Sequence, residues 1–144
     1  MSDFKFHRVI GDIKFHGIIG DTNPIEHDGG VVYEGDYGPE VVHFQGWSDD
    51  NGPRVTVSRF SVEDNVLEDL TWVDWEGVAS CHGMDVAELK KHAVSDNVLA
   101  RAQVYESVGM YCGFGELDLE RRELTLEEAE EEFGEFVDRA HATQ

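Results

Sequence analysis

The chain has 144 residues, and its 31 Asp and Glu against 11 Lys and Arg give a formal charge of -20. A surface this acidic repels nucleic acid and anionic membranes and favours basic proteins, cations or a salt-rich solvent. Hydrophobic residues make up 40% of the chain, with 8 Phe, 4 Tyr and 3 Trp, enough to give a single domain over residues 1–144 a buried core.

The N-terminus holds a tandem repeat, Phe4–Asp12 (FKFHRVIGD) followed by Ile13–Asp21 (IKFHGIIGD). Two copies are too few for a solenoid, and a hairpin turning at Gly11 and Asp12 explains them better. Alternation then puts Phe4, Phe6, Ile10, Ile13, Phe15 and Ile19 on one face. Lys5, His7, Val9, Lys14, His16 and Ile18 fall on the other, the one basic surface of the protein. His7 opposite His16 is an exposed pair whose protonation would loosen the hairpin.

Further strands are predicted at Val31–Tyr33, Glu40–Trp47 and Arg54–Phe60, and a weaker one at Leu70–Trp75. The segment Ser48–Pro53 (SDDNGP) is a turn signal that pairs the strands around it as a second hairpin. Ser61–Leu70 fits a short helix or a loop equally well.

The second half turns helical. Asp85 with Glu88 forms a capping box for a helix to about Ala93, and Ser95 caps a longer one to about Met110 that buries Val98, Leu99, Ala102, Tyr105 and Val108. Gly109, Gly113 and Gly115 interrupt that pattern. Thr125 with Glu128 is a third box, opening a helix to about Ala140 with the apolar stripe Leu126, Ala129, Phe133, Phe136, Val137 and Ala140. Strands first and helices later predict an α+β fold. An antiparallel sheet of about four to six strands in the N-terminal half is covered by about three helices in the C-terminal half.

The acids are unevenly spread. Phe60–Leu89 and Glu123–Asp138 each hold eight acids and no Lys or Arg. A helix of about fifteen residues spans roughly 22 Å. The last one carries about one acid per 3 Å, where duplex DNA carries one charge per roughly 1.7 Å of axis. The sequence therefore points to an acidic inhibitor that occludes the basic surface of a nucleic-acid-binding protein, as a nucleic-acid mimic of the viral or mobile-element anti-defence kind. Contacts fall to Glu127, Glu128, Glu131, Glu132, Glu135 and Asp138, supported by Glu63, Asp64, Glu68 and Asp69. The alternative is a halophile-adapted acidic domain with a small-molecule or enzymatic role, since only four lysines stand against so many acids. Direct nucleic-acid binding is not expected, and docking of the basic hairpin of one copy on the acidic helix of another stays open.

Catalytic motifs are lacking. There is no P-loop, H-E-x-x-H, G-x-S-x-G, EF-hand loop or complete G-x-G-x-x-G. Cys81, His82, His92 and Cys112 match no familiar zinc spacing, and both cysteines are read as free, mostly buried thiols. Asp74 and Glu76 beside Trp72 form a carboxylate pair of the glycosidase type on the weak strand, but with 31 acids such pairs arise by chance. No catalytic residue, metal ligand or cofactor is assigned. No apolar run approaches the roughly 20 residues of a membrane span and the first residues lack a signal-peptide pattern, so the expectation is cytoplasmic.

Overall fold

A computed structural model of the chain describes residues 5–11, 28–63 and 66–143. Among them, five strands form one antiparallel sheet in the order β1-β2-β3-β4-β5: β1 (Lys5–Gly11), β2 (Asp28–Gly35), β3 (Gly38–Asp49), β4 (Gly52–Ser61) and β5 (Asp118–Thr125). Four α-helices accompany it: α1 (Trp75–His82), α2 (Val86–Ala93), α3 (Val98–Cys112) and α4 (Leu126–Thr143). The expected α+β class and helical second half are there, with one helix more than predicted and a fifth strand lying between α3 and α4.

The sheet is a meander because two-residue turns join β2 to β3 and β3 to β4. Gly35 pairs with Gly38 across Asp36 and Tyr37, and Asp49 pairs with Gly52 across Asp50 and Asn51. The second turn is the one predicted within Ser48–Pro53. β1 pairs with β2, with a register slip between Phe6 and Arg8 that the uninterrupted alternation did not anticipate. The second half of the expected N-terminal hairpin, including His16, lies outside the described residues.

Neighbouring residues of the central strands serve different cores. Val32 and Val41, with Phe60, Val62 and Leu67, pack under α1–α3, whereas Val31, Val42, Phe44, Val55 and Val57 pack with Leu124 and Ala129 of α4. A sheet covered on both faces needs apolar residues at consecutive positions, which is what the Val31-Val32 and Val41-Val42 doublets supply. The protein is therefore layered as α1–α3, sheet, α4.

Several local predictions need correction. Leu70–Trp75 is not a strand: Asp74 instead caps α1, accepting from the Gly77 N–H at 3.1 Å. The ambiguous stretch before it contains a short 3₁₀ turn, Val66–Asp69. Asp85 occupies the N-cap of α2 without a side-chain capping bond. The cap of α3 is Asn97, whose side chain accepts from Ala100 N at 3.2 Å, while the Ser95 hydroxyl, two residues earlier, accepts from the Asn97 N–H. Ser95 still matters through its carbonyl. Buried Arg101 donates to Ser95 O and to Val62 O, each at 2.5 Å, clamping α3 to the exit of β4. Gly109 lies inside α3, consistent with the predicted end near Met110, and the Phe114 ring folds back against it, so that a Cβ there would stand 2.2 Å from that ring.

Candidate protein-binding face

β5 and α4 are joined without a loop, and the junction is a completed capping box. Glu128 N–H donates to Thr125 Oγ1 at 3.1 Å and Thr125 N–H donates to Glu128 Oε1 at 2.9 Å, as the spacing predicts. Those bonds from Thr125 hold the Glu128 carboxyl below its ordinary pKa. Removing the cap in Thr125→Ala is expected to cost about 1 kcal/mol, read as a lower urea midpoint at unchanged slope.

The box starts α4 in a fixed phase over the sheet. Ala129 is buried, Leu126, Phe133 and Phe136 pack on the second core, and Phe133 meets Phe44 edge-on with ring centres 5.5 Å apart. With that stripe inward, Glu127, Glu128, Glu131, Glu132 and Glu135 are all exposed. Their roles differ. Glu128 is engaged in the cap, and Glu132 takes a bidentate grip from Arg122 of β5, which lowers the Glu132 pKa. Glu127, Glu131 and Glu135 recur at helical spacing along this outer face, and all three are exposed. The Asp138 side chain lies outside the described part of the structure.

The second acidic window does not join this face. Glu63, Glu68 and Asp69 are exposed, but their segment is anchored to the α1–α3 layer: Leu67 enters the first core and the Tyr105 hydroxyl donates to Glu63 O at 2.7 Å. The sheet separates them from α4. Asp64 lies outside the described residues. The two windows thus give an acidic surface on each side of the sheet, not one continuous ridge.

Other predicted groups disperse as well. With Asp74 capping a helix, the carboxylate pair with Glu76 loses the strand face that motivated it. Both cysteines are free, but Cys81 is exposed and Cys112 half-buried, contrary to the expected burial. Among the described residues no three His, Cys, Asp or Glu side chains are grouped to hold a metal ion.

Two buried polar centres escaped the sequence reading. Glu40 of β3 is fully buried on the α4 side. Its Oε1 accepts from Tyr33 Oη at 3.0 Å and Arg59 Nε at 2.5 Å, and its Oε2 accepts from Tyr37 N at 2.9 Å and Arg59 Nη2 at 3.4 Å. Gly35 makes room, since a Cβ there would lie 2.4 Å from the carboxyl carbon. Burial, then the Glu40 charge, raises the Tyr33 phenol above its usual pKa. On the other face His43 is 3% exposed and tilted 32° against the Phe114 ring with ring centres 4.9 Å apart, with no hydrogen-bond partner at Nε2 among the described residues. Burial, with Arg121 nearby, lowers its pKa to about 4. The only hint in the sequence was a Glu and a His interleaved with the apolar residues of β3.

Comparison with protein-family models, with curated proteins and with solved structures finds no match.

Proposed function

We propose that the protein acts by binding, with the outer face of α4 occupying the basic surface of a nucleic-acid-handling protein in place of the nucleic acid. The observation that carries this reading is the exposed row Glu127, Glu131 and Glu135 on a helix whose inward stripe is fixed to the sheet. A rigid row of like charges presents a preorganised potential, which favours steering and occlusion of a basic groove. Glu63, Glu68 and Asp69 lie across the sheet and would serve a different contact. A cytoplasmic, anti-defence setting belongs to the same proposal; among the described residues no helix is long and apolar enough to cross a membrane.

The test compares the native protein with the triple variant Glu127→Lys, Glu131→Lys, Glu135→Lys as bait in a lysate, washed across a salt gradient. The native bait is expected to retain a nucleic-acid-binding protein that elutes as salt rises and gives up its DNA or RNA to the bait. The triple variant is expected to retain at least about tenfold less, since each reversed charge turns attraction into repulsion. Equal capture by both baits would overturn the α4 assignment.

A second reading is favoured by the acids lying on both sides of the sheet, which suits a surface adapted to salt as a whole. It predicts that stability rises steeply between dilute and molar salt as self-repulsion is screened. Capture of nothing by a folded bait, together with that rise, would select it over the first.

A further inference from the structure

We propose that a pocket in the α1–α3 layer is a binding site for a single free apolar α-amino acid. The pocket encloses about 300 Å³ between the 3₁₀ turn, the start of α1, the end of α2 and the middle of α3. Leu67, Ala93 and Tyr105 lie beneath it, 2%, 3% and 0% exposed. The Tyr105 hydroxyl is spent on Glu63 O. Half-buried Leu70 and Trp75 form the walls.

Two charges of opposite sign stand in the lining, both on exposed residues: Glu68 of the 3₁₀ turn and Lys90 of α2. Neither is spent in an ion pair with another described residue. The Lys90 ammonium instead rests over the Trp75 ring, 5.3 Å from its centre, beside the apolar wall. A carboxylate can draw it away from that ring, because an exposed cation–π contact contributes only about 0.5–1 kcal/mol. In a chain with no base between residues 60 and 89, Lys90 supplies positive charge just where the cavity needs it.

An apolar interior with one anion and one cation at its lining is complementary to a ligand with an apolar body and both charges at one end. An α-amino acid has that form: the side chain enters among Leu67, Leu70, Ala93 and Trp75, the ammonium meets Glu68 and the carboxylate meets Lys90. The volume sits at the lower limit of small-molecule sites, roughly 300–1,000 Å³, which suits one amino acid and leaves no space for a nucleotide or a peptide. This site is on the opposite side of the sheet from α4 and does not depend on the proposed α4 partner.

Calorimetric titration of the full chain with L-leucine and L-phenylalanine tests the assignment. The expected result is saturable binding with Kd below about 1 mM, weakened about tenfold in both Glu68→Gln and Lys90→Gln. L-Leucinamide and 4-methylpentanoate, each lacking one charge, are expected to weaken similarly, and L-serine not to bind. Val94→Trp alters a lining residue that is 40% exposed, so it should fill the mouth and abolish binding while near-ultraviolet dichroism reports an intact fold. Two results would overturn the proposal: no saturable heat with either amino acid up to about 10 mM from a folded protein, or leucinamide and 4-methylpentanoate binding as tightly as leucine. The second would make the pocket an unselective apolar cavity.

Discussion

Glu40→Ala is expected to lower the stability of the fold by about 3 kcal/mol. The Glu40 carboxylate is fully buried and accepts four donors, from Tyr33, Tyr37 and twice from Arg59. Removing it leaves a phenol and a backbone N–H without their acceptor and a guanidinium without its counter-charge. Such breaks cost about 3–5 kcal/mol when both partners are buried. The lower end applies because the Arg59 side chain is 24% exposed and can turn toward water or toward Asp36, already 3.8 Å away. Glu40→Gln separates charge from shape. It can still accept from Tyr33 and Arg59, but its amide hydrogens then face the Tyr37 N–H or the arginine fork, and a loss of about 1–2 kcal/mol is expected. Urea unfolding at neutral pH measures both, and a change below about 1 kcal/mol in Glu40→Ala would mean that Arg59 relaxes freely and the network is neutral for stability.

What the sequence made legible was whatever depends on residues near one another in the chain. The Thr125/Glu128 box, the turn before Gly52 and the apolar stripe of α4 from Leu126 to Phe136 were all read correctly because each is a local hydrogen-bonding or periodicity signal. β5 was missed because DLERRELT is mostly charged and shows no two-residue apolar alternation. It is a strand because β4 offers an open edge and Leu124 completes the core with Val55 and Val57. α1 was missed because Trp72–Trp75 has the aromatic composition of a strand, while the decisive feature is the single capping bond of Asp74.

The candidate face divides along the same line. That α4 carries an acidic outer row followed from its apolar stripe, but the neutralisation of Glu132 by Arg122 required β5 to lie beneath the helix. The separation of Glu63, Glu68 and Asp69 from α4 is a consequence of topology: with α1–α3 on one side of the sheet and α4 on the other, two windows alike in sequence face away from each other. Glu40 and His43 were hidden for a related reason. Alternate residues of β3 face opposite sides, and a polar residue on such a strand reads as solvent-facing until both sides are known to be covered.

His43 should make the fold sensitive to acid in a window set by its burial. In the unfolded chain its imidazole titrates near its ordinary pKa of 6.5, whereas in the fold burial and the Arg121 charge lower it to about 4. Between those values the unfolded state binds more protons, so stability falls as pH decreases, by about 2 kcal/mol at pH 5 and about 3 kcal/mol at pH 4. Other groups act in the opposite sense. Protonating unpaired exposed carboxylates relieves the repulsion of a -20 chain, and Asp118, whose carboxyl burial raises, takes up its proton more readily in the fold than out of it, while Glu128 and Glu132, held below their ordinary pKa, add to the loss in acid. A single stability curve would mix these contributions, whereas His43→Gln removes only the imidazole and leaves the carboxylates in place. The expected result is that wild type loses about 3 kcal/mol more than His43→Gln between pH 7 and pH 4, whatever their difference at neutral pH. Parallel curves over that range would show that the imidazole can be charged without opening the Phe114 side of the core, and the unpartnered Nε2 would then be reached by water in the native state.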